Sequence, residues 1–518
     1  MSPFRRRFLP PVALAAGVTL VFGMTPATAA QAAGPDGPAL AKQLVNKVTV
    51  NGVNRHLIAL QRFADTNGGT RAASTEGHKK SAEYIATKLE AAGYDVTRQE
   101  FPFTFNQTLA EKLTAGGANV PIIAMTYTKS TPVGGVTAPL AVVPADGDAT
   151  PGCETTDFGV LTGKIALIKR GGCTFALKQQ NAAAAGAIGA VIYNNADGDV
   201  NGTLGSADAA KIPTGGITAA AGASLFAQDG KPVTLEIRAV QEDRTTYNVI
   251  AETKTGRKDN VVMLGSHLDS VPEGPGINDN GSGSATLLET ALQLGSTPKV
   301  NNAVRFGFWS AEEFGLIGST YYVDQLSFDE QLNIALYLNF DMIGSPNAGY
   351  FAYDGDDSDG IGAGPGPYGS AQIEKLFVDY LAAGRGVQLE GTDFTGRSDY
   401  GEFIAVGIPA GGLDTGAEVL KTPAQATKWG GTAGIAFDPC YHQACDNLGN
   451  IDRVALDRNA DGVAWALGVY ATSTESVNGV QPNGKSAKAA KAAKAQQRAS
   501  QRNFSAHAVA GDTHAVAS

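Results

Sequence analysis

Asn260-Val-Val-Met-Leu264 is an unbroken apolar run, and it leads directly into Gly265-Ser-His-Leu-Asp-Ser270. Such a run reads as a strand buried on both faces, as the central strands of an α/β sheet are. His267 and Asp269 then stand at a buried strand end, which costs free energy unless the charges are paired or hold a metal. His-x-Asp by itself leaves open both a satisfied structural histidine and a ligand. The surrounding chain repeats the pattern. Tyr247-Asn-Val-Ile-Ala251, Ala303-Val-Arg-Phe-Gly-Phe-Trp309 and Leu336-Tyr-Leu-Asn-Phe340 read as further strands, with helical patterns such as 285–294 between them. The fold class this predicts is α/β, a mixed central sheet with helices on both faces.

Residues able to bind a cation gather at the ends of these strands, where such sheets place their sites. Asp279 follows the opening motif, Glu312 and Glu313 follow Trp309, Asp341 follows Phe340, and His442 lies in Cys440-Tyr-His-Gln-Ala-Cys-Asp446. The chain has six histidines, two of them in a low-complexity tail, so each well-placed one carries weight. Together with His267 the set holds two imidazoles and three carboxylates, with one glutamate over. Zinc takes imidazole nitrogen and carboxylate oxygen at four or five positions. Five ligands are too many for one catalytic zinc with an open position. They suffice for two metals if one carboxylate bridges.

At 518 residues the chain is too long for a single core, which predicts two or three domains. Arg5-Arg-Arg7, an apolar stretch from Val12 to Met24, and the small residues Ala27-Thr-Ala29 and Ala30-Gln-Ala32 give residues 1–32 the order of a secretory signal peptide. The apolar stretch is short for a membrane span, and no later segment is long and apolar enough for one. A secreted, extracellular protein without a membrane partner is therefore expected. Residues 478–518, with Lys485-Ser-Ala-Lys-Ala-Ala-Lys-Ala-Ala-Lys494, have almost no large apolar side chains. They predict a disordered or processed tail, or else a short basic helix on an anionic surface. Setting aside the leader's three arginines and the tail's six cations and one acid leaves roughly −18 on the body. That balance argues against a nucleic-acid partner. The four cysteines of an exported chain are grouped as Cys153 with Cys173 and Cys440 with Cys445, which reads as two disulfides.

Residues 38–105 look helical and then extended. Ala82, Ile85, Leu89 and Ala92 share one helical face, Gly93 stops the helix, and 94–101 alternates as a strand. Near residue 118 a Gly/Ala-rich texture begins, with strands expected at 163–169, 190–193 and 233–240 and a small-residue helix over 182–187. Gly163-Lys-Ile-Ala-Leu-Ile-Lys-Arg-Gly-Gly-Cys-Thr-Phe175 and Ala182-Ala-Ala-Ala-Gly-Ala-Ile-Gly-Ala-Val-Ile-Tyr-Asn194 make 118–237 resemble the protease-associated (PA) domain, a small β-rich module often inserted into peptidases.

A second resemblance rests on several motifs in order. His267-Leu-Asp269, Gly276-Ile-Asn-Asp-Asn-Gly-Ser-Gly283, Ala311-Glu-Glu313, Asn339-Phe-Asp-Met-Ile-Gly344, Gly396-Arg-Ser-Asp399 and Cys440-Tyr-His442 resemble the secreted co-catalytic zinc aminopeptidases of the Streptomyces and vacuolar aminopeptidase Y types. The match covers about 38–105 and 245–475 and places a discontinuous peptidase domain at 38–117 and 238–475. It implies two Zn²⁺ ions, with His267 and Asp341 on one, Glu313 and His442 on the other, and Asp279 bridging. It makes Glu312 the general base, Asp269 the residue that orients His267, Tyr441 a donor to the oxyanion, and Arg397 a neighbour of the substrate's N-terminus. It also implies a cis peptide between Asp279 and Asn280, and Ca²⁺ at Asp457 and Asp461. Two acids so spaced otherwise read as a solvated helix face. The expected substrates are peptides with a free N-terminus and a large apolar first residue, cleaved by a monomer. His56 and His78 have no ligand company and read as structural. The Cys440–Cys445 loop is too short to stabilise the chain much through loop entropy, and its expected task is to fix Tyr441 and His442.

Three rival readings compete. A serine hydrolase elbow at Gly396-Arg397-Ser398 fails because Tyr400 stands where a glycine is required. A non-catalytic receptor-like protein would be expected to lack the ligands, which are all present. A carboxypeptidase on the same fold needs a cationic pocket, for which Arg397 is the one candidate.

Overall fold

The computed structural model describes residues 37–145, 149–360, 362, 364–481, 491–496 and 498. The leader expected at 1–32 and most of the tail lie outside the described residues. Among the described residues, fourteen strands join in one mixed sheet. They are β1 Asp95–Ala115, β2 Ala118–Val120, β3 Ile123–Ala124, β4 Val136–Val142, β5 Ile165–Lys169, β6 Gly189–Tyr193, β7 Thr214–Ile217, β8 Pro232–Glu252, β9 Arg257–His267, β10 Asn302–Trp309, β11 Ile334–Phe340, β12 Phe351–Tyr353, β13 Glu390–Thr392 and β14 Ala410–Asp414. The order is β13-β12-β14-β11-β9-β10-β8-β4-β5-β6-β7-β3, with β1 along β8.

Neighbours β14, β11, β9 and β10 are parallel, and β8 runs antiparallel to β10. Every residue of β11 is buried, as is β9 from Asn260 onward, which is why both read as continuous apolar runs. Alternate residues serve opposite faces. Val262, Leu264, Leu336 and Leu338 pack with the helices Val50–Asp65, Glu76–Ala91, Gly283–Leu294 and Arg453–Tyr470. Met263 and Tyr337 pack on the other side with Tyr322, Tyr400 and Phe403. The predicted α/β class with covered faces is the one observed.

Between β1 and β8 lies the inserted module, with strands β4 to β7 and the helices Phe175–Ala184 and Ala219–Leu225. It has apolar clusters of its own around Leu140, Ile165, Leu167 and Leu235, and around Ala166, Ile168, Ala190 and Ile192. Both expected disulfides are present, Cys153–Cys173 here and Cys440–Cys445 outside this module.

Several local expectations are corrected. The helix expected at 182–187 is Phe175–Ala184, because the Thr174 side chain caps it by accepting from the Leu177 N–H. The stretches 233–240 and 247–251 are one strand, β8, continuous through the polar residues 241–246. Those residues pair with β1 on a ribbon with much solvent-facing surface, so no apolar run marks them. The tail is not wholly without structure, since 491–496 is helical. Lys494 Nζ donates to Asn260 Oδ1 at 2.7 Å, and Arg498 donates to the Ile334 carbonyl at 2.8 Å. Long side chains thus anchor a segment that has no apolar face of its own.

His56 meets the Tyr84 hydroxyl at 2.8 Å and Glu289 at 3.1 Å. His78 is fully buried against Tyr247, and burial, with Arg71 and Lys79, holds its imidazole down to about 3. Between pH 3 and 6.5 the unfolded chain therefore binds a proton at His78 that the folded chain does not. Stability is lost as pH falls through that window. Between pH 7 and pH 5 the unfolding free energy is expected to fall by about 2 kcal/mol more in the native protein than in His78→Phe. Equal slopes would contradict this.

Candidate active site

Three adjacent parallel strands deliver side chains to one end of the sheet. β9 ends on His267, β10 ends on Trp309 just before Glu312 and Glu313, and β11 ends on Phe340 beside Asp341. The turn Ile277–Ser282 brings Asp279, with a cis peptide between Asp279 and Asn280. The disulfide-closed loop 440–445 brings Tyr441 and His442, whose rings stack at 3.8 Å.

These residues form two groups that share Asp279: His267, Asp279 and Asp341, and Asp279, Glu313 and His442. Asp279 Oδ1 lies 3.2 Å from His267 Nε2, and its Oδ2 lies 3.2 Å from His442 Nε2. Asp341 Oδ1 is 3.2 Å from His267 Nε2, and Glu313 Oε2 is 3.0 Å from His442 Nε2. Glu313 Oε1 is buried with no hydrogen-bond partner, an arrangement a cation would satisfy. The nitrogen and carboxylate donors suit zinc.

Charge is concentrated here. Burial pulls the His267 imidazole down, but Asp341, Glu312 and Asp279 push it well above its ordinary value. Burial likewise opposes His442, which Glu313 and Asp279 raise. Burial works against the Asp279 carboxylate too, yet the two histidines hold it well below its usual range. Glu312 belongs to neither ligand group. Its Oε2 lies 4.0 Å from His267 Nε2, and burial, with Asp399, Glu313 and Asp341, pushes it well above the carboxylate range against the pull of His267.

Contacts of four further residues, Asp269, Ser398, Asp446 and Arg397, surround these groups. Asp269 faces His267 Nδ1 through its main-chain carbonyl at 3.1 Å, with its carboxylate farther away at 3.9 Å. That carboxylate instead accepts from the Glu312 N–H at 3.2 Å. Ser398, part of the failed elbow motif, donates to Asp341 Oδ2 at 2.7 Å. Asp446 accepts the Asn278 and Asp279 N–H groups at 2.8 and 3.0 Å. Arg397 is bound to Glu418 at 2.7 Å and donates to the Tyr441 hydroxyl at 3.2 Å. That phenol oxygen accepts from Arg397, so its own proton is free to point elsewhere. Burial and Asp279 raise the Tyr441 hydroxyl well above its ordinary value, so it keeps that proton.

Arg71, which the sequence reading passed over, is fully buried and donates to the carbonyls of Leu268, Pro275 and Gly276. It ties the β9 end to the turn that carries Asp279. A basic residue in a polar loop gives no local signal of this; only the fold reveals it. At Asp457 and Asp461 the structure places a side-chain cation, Arg385, against both carboxylates. The pair belongs to none of the ligand groups found among the described residues. An apolar cavity of about 860 Å³ lined by Val45, Leu376, Tyr380 and Trp465 contains none of the site residues.

Comparison with known proteins gives the family of the chain. Residues 248–467 match the model of peptidase family M28, and 136–225 match the PA domain. The chain is 49% identical to the probable lipoprotein aminopeptidase LpqL of Mycobacterium tuberculosis over 86% of its own length and 90% of that protein. It is 45% identical to leucine aminopeptidase 2 of Trichophyton tonsurans over 86% and 88% of the two chains. Among solved structures, the aminopeptidase from Aneurinibacillus sp. strain AM-1 superposes with a TM-score of 0.65 at 32% identity, covering 82% of this chain and 95% of that one. A zinc aminopeptidase from Bacillus subtilis gives 0.57 at 28% identity, covering 83% and 95%. The chain belongs to peptidase family M28, as a metallo-aminopeptidase that carries a PA domain.

Proposed function

We propose that the protein is an exported aminopeptidase that holds two zinc ions and removes large apolar residues from the N-termini of peptides, acting as a monomer. The observation that carries this reading is the placement of Asp279, whose two oxygens each face a different histidine. His267 and Asp341 would hold one ion, Glu313 and His442 the other. Bound there, the pair would polarise the scissile carbonyl and acidify a shared water.

The chain's own residues do the rest. Glu312, beside a ligand but not one itself, accepts the water's proton and passes it to the departing amine. Tyr441, held by Arg397, donates to the carbonyl oxygen as charge develops there. The acidic surroundings attract the substrate's ammonium group. Arg397, the candidate for holding a C-terminal carboxylate, is already paired with Glu418, which disfavours the carboxypeptidase reading. Among the described residues no helix is long and apolar enough to cross a membrane.

A leucine anilide and its N-acetylated form separate the alternatives. The free amine is expected to be cleaved and the acetylated form refused. Equal cleavage of both would mean an endopeptidase or amidase.

A further inference from the structure

We infer that Phe103, Phe105 and Asn248, on the two-stranded ribbon that leads into the PA module, are positioning residues for Glu312. The inference rests on the role proposed above for Glu312. Strands β1 and β8 pair from Asp95 with Glu252 out to Ala115 with Val233. The stretch 310–318, which carries Glu312 and Glu313, leaves the sheet after β10 beside this ribbon. Ala311 and Leu316 within it have φ of 59° and 57°. Side chains with a Cβ resist that left-handed backbone, so the surroundings must hold it.

The ribbon supplies the hold. Asn248 Oδ1 accepts the Ser310 N–H at 3.1 Å, and its Nδ2 donates to the Gly318 carbonyl at 2.8 Å. One side chain thus ties both ends of the loop. Thr246 adds a hydroxyl contact to Ser310 at 2.7 Å. From β1, Phe103 and Phe105 pack on Phe314, the residue after Glu313, with ring centroids 5.3 and 5.2 Å apart. Phe101 stacks on Tyr321 at 5.3 Å, and the Arg244 guanidinium lies 3.6 Å from the Phe105 ring. The three phenylalanines alternate along β1, so they project from one face of it. Ala311, between Ser310 and Glu312, is fully buried in the same cluster. A ribbon displaced by about 1 Å would carry the loop and its base out of line, an error that can cost about 10²-fold in rate. The insert's stalk is therefore part of what aims the base.

The test uses the full-length, zinc-loaded enzyme. Phe105→Ala and, separately, Asn248→Ser are expected to lower kcat about tenfold with KM within about twofold. Zinc content should stay unchanged, and amide hydrogen exchange across 311–318 should quicken. Phe105→Leu should restore most of the rate. Leu113→Ala, farther out on β1 and buried in the module's own core, should leave kcat and the loop's exchange as they were. Should Phe105→Ala fail to fold, Asn248→Ser carries the test. Unchanged kcat and exchange in the ribbon variants would overturn the inference. So would rate loss that tracks zinc loss, or equal loss in Leu113→Ala. Glu312→Gln, measured in parallel, keeps the two readings apart. An active Glu312→Gln removes the base assignment, whereas the ribbon's hold is read from loop exchange without turnover.

Discussion

Glu312→Gln is expected to lower kcat by about 10²–10⁴-fold, with zinc content and fold unchanged. The side chain sits 4.0 Å from His267 Nε2 yet belongs to neither group of ligand atoms. Its amide is fixed by Asp269, so the backbone is set whatever the side chain does. Glutamine keeps the shape and cannot accept a proton. Elemental analysis beside steady-state kinetics checks the result. Loss of zinc in the variant would make Glu312 a ligand, and retained turnover would place the base elsewhere.

Arg71→Met is expected to destabilise the fold by about 3–5 kcal/mol, measured by urea unfolding of the full chain. The guanidinium is fully buried and bonded to three carbonyls on two segments, and burial lowers its own pKa to about 10. Around it stand Asp446, Asp269, Asp279 and Glu313. Removing the cation strands three carbonyls and leaves those acids facing one another. Methionine fills similar volume, so a loss near 1 kcal/mol would mean that packing and not charge matters at this position. Zinc should restore part of the lost stability, because it binds the folded site and not the unfolded chain.

The two candidate ligand groups were legible because their residues end apolar runs. His267 follows Val261-Val-Met-Leu264, and Asp341 follows Leu336-Tyr-Leu-Asn-Phe340, so strand register alone puts them at one sheet end. What supports them was less legible. Asp269 was expected to orient His267, and it is the Asp269 main-chain carbonyl that meets His267 Nδ1, a detail that depends on backbone direction. Arg397, expected near the substrate's N-terminus, donates to Glu418 and Tyr441, residues that only tertiary folding brings near it. The polar middle of β8 gave no strand signal because its partner β1, not burial, makes it a strand. Arg71 and Asn248 act through long-range hydrogen bonds that leave no local pattern.

Zinc titration of the chelator-stripped enzyme tests the central claim most directly. Activity on a leucine anilide should vanish on stripping and return to its full value only as bound zinc reaches two ions per chain. Activity that survives complete metal removal, or that is complete at one ion, would contradict a site built around a shared Asp279.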